Sequence, residues 1–498
     1  MFLSWPGTVR FRCARCVCIA RSSDVVAGTQ CNTDECPKVL VPPVVTLNIG
    51  PSVRTQAQWR SMTVCNARPA VGSGSVAGTA PWALYTERQR WWYLAILFLV
   101  SAISYFDRFV ISVLLEPIKR EFHASDAVLG LLSGFSFALC YAIFGMPVAR
   151  WADRGNRRTI ITLSLGVWSV MTVLCGVAQS VLQLVLTRVG VGAGEAGSVP
   201  PAQSLIADYF PPQRRASAIS VFMAASTLGN LLGIGVGGYV AANYGWRVAF
   251  LVAGAPGIAL SLVTHLGLAE PRLKVGFPEL REEPESFTET LRHLTAKRAY
   301  VYALMGCVVY FFMSYGAIAF VPSFLIRTLH LPLARVSITY GSVFAAASVI
   351  GTLSGGWIAD RLARQDVRWL VWIPALACVL AAPSYATALA SLSYPSFLAM
   401  AFVALTLLVG GLPPVYAAVL AVCGSRRRAT AIALLLFSAT LVGGGLGPLA
   451  AGVMSDAFSL TYGSDGLRYS LLIMTSALLV TGALFFMSGR AMPRDLET

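Results

Sequence analysis

Charge is scarce in this 498-residue chain. Asp, Glu, Lys and Arg make up 12% of it, against 56% hydrophobic residues. A soluble domain carries roughly 25% charged residues, so there is too little polar surface here to cover a water-exposed globule. Whole classes of catalytic machinery are missing too. No Gly-Lys pair occurs, which excludes the phosphate-cradling Gly-Lys-Ser/Thr loop of an ATP-driven pump. The four histidines, His123, His265, His293 and His330, are scattered singly, so they cannot form the two-His-plus-Glu array of a membrane metalloprotease. We expect no metal, no cofactor and no enzymatic activity. A basic segment followed by an apolar one is absent from the start of the chain, so no signal peptide fits. Cysteine is thin in the apolar region: Cys140, Cys175, Cys307, Cys378 and Cys423 read as small core residues, with no disulfide implied.

What the chain has is long hydrophobic runs, with a mean hydropathy of +0.67. Twelve lie at about 92–115, 128–149, 159–178, 182–206, 216–241, 247–268, 299–324, 337–358, 369–389, 396–422, 429–454 and 469–488. Each is near the roughly 20 residues that cross about 30 Å of hydrocarbon as a helix. The run 182–206 is the least regular, because it holds Arg188, Glu195, Pro200 and Pro201. The net charge of +15 follows the same topology. Arg154, Arg157 and Arg158, Arg214 and Arg215, Arg361, Arg364 and Arg368, Arg426 to Arg428, and Arg490 and Arg494 fall on one side. The other holds only Lys119, Arg120, Arg247, Arg327, Arg335 and Arg468. This is the positive-inside bias, and it places both termini in the cytoplasm. No aromatic-interleaved basic patch points to nucleic acid.

Residues 1–88 stand apart. They hold six of the eleven cysteines and no sustained helical or strand period. We expect a disordered extension, or a start assigned too early with Met62 as the true one. Cys13 and Cys16 have metal-like spacing, and Cys31 and Cys36 could complete a tetrad, but no second close Cys-x-x-Cys pair follows.

Two short signatures recur. Ala152-Asp153-Arg154 returns as Ala359-Asp360-Arg361, 207 positions on (360 − 153). Arg214-Arg215-Ala216-Ser217-Ala218-Ile219 returns as Arg427-Arg428-Ala429-Thr430-Ala431-Ile432, 213 positions on (427 − 214). Nearly equal offsets indicate an internal duplication. Two halves of membrane helices enclosing a midplane site are a transporter design. The layout is therefore a bundle at 89–268, a cytoplasmic linker at 269–298 with Pro278 and Pro284, a second bundle at 299–490 and a tail at 491–498.

Four ionisable residues lie within spans of the first half: Asp107, Arg108, Arg188 and Glu195. A charge near mid-bilayer costs roughly 2.5–3.5 kcal/mol even on the gentlest scale, so such residues pair and face cavities. At 1.5 Å per residue, Asp107 lies about 21 Å from the cytoplasmic face and Arg188 about 9 Å below the outer one, depths that coincide in a core about 30 Å thick. Arg188 is thus placed to pair with Asp107. Glu195, two turns further along, has no evident cation at its own depth. The quartet reads either as a structural brace or as a proton relay beside a substrate site, with the unpaired Glu195 favouring the relay.

These residues resemble the major facilitator superfamily over about 90–490. The Asp153-Arg154 and Arg157-Arg158 loop, its second copy Gly356-Trp357-Ile358-Ala359-Asp360-Arg361, the Arg188, Gly192, Gly194 motif and the glycines 229, 233, 237 and 238 carry the likeness. Departures are Ala149 for Gly, Trp151 for an aliphatic residue, and Ile234 where drug antiporters have Pro. Tyr105-Phe106-Asp107-Arg108 and Gly192-Ala193-Gly194-Glu195-Ala196 are most similar to spinster-like members. That resemblance implies proton coupling at Asp107 and Glu195 and substrate handling at Arg108 and Arg188.

The expected fold is an all-α membrane protein of twelve transmembrane helices in two pseudo-symmetric six-helix bundles. The expected function is alternating-access transport of a small amphipathic organic anion, coupled to protons. Tyr310, Tyr315 and Tyr416 are candidate contacts from the second half. Asp153, Arg154, Arg157, Arg158, Asp360 and Arg361 are expected to latch the cytoplasmic face. Expected partners are the substrate, protons and the lipid bilayer of a bacterial inner membrane, around a monomer. A facilitator without coupling, or a receptor on the same fold, is the competing reading.

Overall fold

The computed structural model describes residues 81–275 and 287–496, together with four short strands: β1 (Val9–Cys13), β2 (Cys16–Ala20), β3 (Lys38–Leu40) and β4 (Ser61–Thr63). β1 pairs antiparallel with β2, and β3 with β4. Strands this short leave no sustained alternation in the sequence. The side chains of Cys13, Cys16, Cys31 and Cys36, the candidate metal tetrad, and the rest of the extension lie outside the described residues.

From Pro81 onward the described residues are almost entirely helical. α1 (Glu87–Phe122) opens on a capping box, in which Thr86 accepts from the Gln89 amide and Gln89 reaches back to the Thr86 amide. It closes at His123 in the left-handed conformation. Its 36 residues rise about 54 Å, well beyond the hydrocarbon thickness. The rest of the first bundle is α2 (126–154), α3 (Arg157–Val177), α4 (Val181–Glu195), α5 (Val199–Tyr209), α6 (Pro212–Tyr244) and α7 (Trp246–Gly267). After the linker helix α8 (Phe287–Ala296) come α9 (Arg298–Thr328), α10 (Leu333–Ala363), α11 (Trp369–Ala390), α12 (Tyr394–Val422), α13 (424–462) and α14 (466–495).

Ten described stretches are long and apolar enough to cross a membrane. The twelve passes arise for two reasons. The last stretch, Thr430–Asp495, is divided at the turn Gly463–Asp465 into α13 and α14. The fourth pass is broken: α4 stops at Glu195, and α5 starts with Pro200 and Pro201 in its first turn. Proline is tolerated there because those backbone N–H groups have no intrahelical partner.

The packing repeats between halves. α1 packs on α6 as α9 does on α13, α3 on α7 as α11 on α14, and α2 on α4 as α10 on α12. The halves meet through α2 with α13, α6 with α10, and α1 with α9. Three of these interface helices carry a π-helical turn, at Leu131–Phe135, Leu232–Val236 and Ala439–Gly444.

Small residues set the closest crossings. A Cβ at Gly355 on α10 would stand 2.1 Å from the carbonyl oxygen of Gly410 on α12, whereas one at Gly356 would meet nothing within 4 Å. In place of hydrophobic attraction, helices in lipid associate through such close backbone packing. Gly355→Val should therefore cost roughly 1–3 kcal/mol by overpacking and lower the unfolding temperature in detergent, while Gly356→Val should leave it unchanged. Equal unfolding temperatures for the two variants would refute this account of the crossing.

Candidate functional site

The site begins on α1, which is braced by the glycine face of α6. Cβ atoms at Gly229, Gly233 and Gly237 would stand 2.5, 2.9 and 2.5 Å from atoms of Ala102, Phe106 and Val110 respectively. This fourfold spacing brings α6 against the turns that bear Asp107 and Arg108. α4 is held as tightly. A Cβ at Gly192 would lie 2.5 Å from the Phe137 carbonyl oxygen on α2, and one at Gly194 would lie 2.8 Å from the Trp168 amide on α3. The motif glycines thus seat the helix that bears Arg188 and Glu195 against α2 and α3.

The four charges form two ion pairs. Arg188 donates to Asp107 Oδ1 at 3.3 Å, and Thr172 on α3 donates to Asp107 Oδ2 at 2.5 Å. Arg108 donates from Nε to Glu195 Oε2 at 3.2 Å and forms a second, tighter contact through Nη2. The depth argument for Asp107 and Arg188 thus matches the observed contact. The expectation that Glu195 lacks a cation is corrected. A side chain on a helix leans toward the helix N-terminus, so the long Arg108 reaches down to the depth of Glu195. Glu195 Oε1 and Arg188 Nε are buried without a hydrogen-bond partner.

Burial separates the roles. Asp107 and Arg188 are each 1% exposed and Glu195 is 0%, whereas the Arg108 side chain is 13% exposed. Arg108 lines a narrow central cleft between the halves, together with Ser133, Phe137, Tyr315 and Thr440. The free volume of this cleft is about 30 Å³, room for no more than a few waters. The guanidinium lies 5.3, 4.8 and 5.3 Å from the ring centres of Tyr105, Phe137 and Tyr141, within cation–π range.

Of the candidate tyrosines, Tyr315 lines the cleft and lies within electrostatic reach of Arg108. The Tyr310 hydroxyl donates to the Leu408 carbonyl at 3.0 Å, tying α9 to α12. Tyr416 is half-buried near Tyr105, Tyr310 and Tyr315. Sequence reasoning did not assign Phe137, Tyr141 or Thr172 to the site. Each sits in an apolar helix, where nothing local distinguishes it from a packing residue.

On the arginine-rich face, Arg157 is buried within the first half. It donates to Glu270 at 2.6 Å and to Ser204 at 2.8 Å, and pairs with Asp208 at 2.6 Å. Asp360 and Arg361 are exposed, and Arg361 lies over the Trp357 ring. Arg158 is partly buried, its Nε unpartnered. The side chains of Asp153 and Arg154 lie outside the described residues. Among the described residues, no ion pair links Asp360 or Arg361 to the first half.

The opposite face is latched. Arg327 at the end of α9 donates to Asp126 Oδ2 at 2.7 Å, Asp126 Oδ1 at 2.9 Å and Glu116 Oε2 at 2.6 Å, all across the two halves. Lys119 adds a contact to Asp126 at 2.6 Å, and Ser455 on α13 donates to the same carboxylate at 2.6 Å. Asp456 accepts from the amides of Asp126 and Ala127 at 2.9 and 2.8 Å, capping α2 from the other half. Lys119, Arg120 and Arg327 are three of the six cations that the charge bias left on this face, and that clustering was the available signal.

This is the architecture of an alternating-access membrane transporter: two pseudo-symmetric bundles, buried charges and a broken helix at the midplane, and a seal on one face. The Major Facilitator Superfamily profile matches residues 97–434, and the chain belongs to that superfamily. It is 35% identical over 412 residues to an MFS-type efflux pump of Mycolicibacterium smegmatis, covering 82% of this chain and 95% of that protein. It is 29% identical over 435 residues to spinster homolog 3 of Danio rerio, covering 82% and 87%. The fold matches the crystal structure of a bacterial homolog of the human lysosomal transporter Spinster, in an inward-facing, unoccupied conformation. That match has a TM-score of 0.75 and 31% identity, over 83% of this chain and all of that one. The chain is an integral, multi-pass membrane transporter of spinster-like type, and its relatives and fold are those of transporters rather than enzymes.

Removing Arg327 would leave the fully buried Asp126 carboxylate with Lys119 as its one cation. Breaking a buried pair this way costs roughly 3–5 kcal/mol, here in the latched conformation alone. Arg327→Met should therefore expose the cleft on this face. A cysteine at Ile318, which lines the cleft, should react severalfold faster with an impermeant maleimide added from that side. Unchanged labelling would mean that the network does not hold the face shut.

Proposed function

We propose that the chain carries small amphipathic organic anions, carboxylates or lysolipid-like molecules, across a bacterial inner membrane in exchange between inward- and outward-open states coupled to protons. Both termini face the cytoplasm in this reading, and the unit is a monomer. The observation that carries it is the division of labour at the quartet. Three of the four charges are sealed away, and Arg108 alone reaches the cleft while bound to Glu195.

Arg108 cannot serve Glu195 and a substrate anion equally. A planar guanidinium grips one carboxylate or phosphate in a forked geometry. Protonating Glu195 removes its claim on Arg108 and frees the guanidinium for the anion. Asp107, paired with Arg188, stands behind as the second proton-carrying group. Tyr315, Tyr416 and Tyr310, with the rings of Tyr105, Phe137 and Tyr141, offer an apolar and aromatic wall for the body of the substrate. Opening the Arg327 seal alternates with closing a latch of Asp153, Arg154, Arg157, Arg158, Asp360 and Arg361 on the cytoplasmic face.

In proteoliposomes, Glu195→Gln should abolish pH-gradient-driven uptake while expression stays near normal, because Gln cannot release a proton. Full pH-driven flux in this variant would remove Glu195 from the mechanism. Carboxylates and phospholipid analogues should compete with transport and neutral sugars should not; the reverse pattern would overturn the substrate class. Asp153→Ala should raise cysteine labelling in the inner cavity severalfold, and unchanged accessibility would dismiss the cytoplasmic latch.

A further inference from the structure

A second cavity lies far from the central cleft, on the outer surface of the second bundle where α11 crosses α14. Trp369, Trp372, Leu376, Val379, Ala483 and Phe486 line it, with Ala375 and Gly482 in its floor, and its volume is about 460 Å³. Ligand pockets fall in the range of roughly 300–1,000 Å³. The spacing explains the groove. Positions 372, 375, 376 and 379 form one face of α11, and 479, 482, 483 and 486 one face of α14. Small residues sit where the two faces meet. A Cβ at Gly482 would stand 2.9 Å from Val379 Cγ2 and 3.1 Å from the Ala375 carbonyl oxygen. The helices therefore touch at the floor, while Trp372 and Phe486, stacked 5.9 Å apart, wall one end.

That end carries positive charge. Arg368 immediately precedes α11 and lies 5.8 Å over the Trp372 ring, and its contact to Asp366 is long, at 3.7 Å. A Cβ at Gly489 would stand 2.3 Å from Trp372 Nε1, so the neighbouring Arg490 belongs to the same mouth. Arg490 is exposed, and among the described residues no ion pair engages it. From Trp369 to Val379 the groove runs about 15 Å along α11, one leaflet's depth of hydrocarbon. Its charged end is on the face that the arginine bias assigns to the cytoplasm.

We propose that this groove binds one anionic glycerophospholipid of the cytoplasmic leaflet, its acyl chain along α11 and α14 and its phosphate between Arg368 and Arg490. The tryptophans sit at headgroup level, where indole rings are favoured. Basic residues between membrane helices on this side select anionic headgroups. Ordinary annular lipid would need the apolar groove alone and would show no headgroup preference. The proposal is independent of what the central cleft transports.

The full chain, purified in detergent, can be titrated with dioleoyl phosphatidylglycerol or dioleoyl phosphatidylcholine and read by native mass spectrometry. We expect one phosphatidylglycerol per monomer, held roughly tenfold tighter than phosphatidylcholine. Arg368→Gln combined with Arg490→Gln should erase that preference while chain length still governs binding. Ala483→Trp, which fills the groove at an exposed position, should lower retention of both lipids. Circular dichroism and gel filtration verify that each variant is folded, and the arginine variant keeps the test open if the tryptophan one is not. Equal retention of the two lipids by the unaltered protein, or an unchanged preference in the arginine variant, would overturn the proposal. So would a doubled mass without lipid, which would give the groove to a second copy of the chain.

Discussion

An ionised group in hydrocarbon must find a partner, and the interior of this protein is arranged around that requirement. Asp107, Arg188, Arg108 and Glu195 sit where a lone charge would cost several kcal/mol. Each is paired, with Asp107 additionally accepting from Thr172. Removing one partner of a buried pair strands the other, so the four residues are mutually dependent. The closely packed glycines of α4 seat that helix against α2 and α3, and those of α6 brace α1, so both helices that bear the pairs are held in place. The break in the fourth pass belongs to the same arrangement. α4 ends at Glu195, whose carbonyl accepts from Ser198 N at 3.1 Å and Ser198 Oγ at 2.9 Å. The chain therefore satisfies its own backbone at the point where it places a carboxylate at depth. Irregular backbone at membrane depth is tolerated when it is buried in protein in this way.

The same electrostatics governs the seal. Arg327, Asp126, Glu116, Lys119 and Asp456 bring residues of both bundles together, with Asp126 fully buried. Such a cluster is worth most when dry, and opening that face wets it. Rewetting returns hydration to every charge at once, so the open state need not be far above the closed one. A transporter needs two states of similar energy. Buried charges that can either pair with each other or be hydrated supply them better than an apolar seam, whose exposure is offset by nothing.

In the proposed mechanism, proton and substrate would meet without a long-range pathway. Glu195 and an incoming anion would compete for the same guanidinium, and Arg108 is already exposed to the cleft and placed among three aromatic rings. Coupling of this kind is local competition for one donor. It asks of the rest of the fold only that the halves rock about a fixed centre.

Composition, hydropathy and the recurrence of Asp153-Arg154 at Asp360-Arg361 determined the class of this protein by themselves: a membrane protein of twelve passes in two related halves. They could do so because a bilayer forces each pass to declare itself as an apolar run. Helical rise sufficed to match Asp107 with Arg188, since depth in a membrane is nearly a linear coordinate. The tertiary structure decided what a linear coordinate cannot carry. Which way Arg108 leans is a matter of side-chain direction, and it converted an apparently solitary Glu195 into a paired one. Which aromatic residues meet Arg108 is a matter of helix rotation, and it separated Phe137 and Tyr141 from dozens of equivalent packing residues. That Arg327 meets Asp126 depends on two bundles docking, and no spacing within either half encodes a contact between residues 201 positions apart.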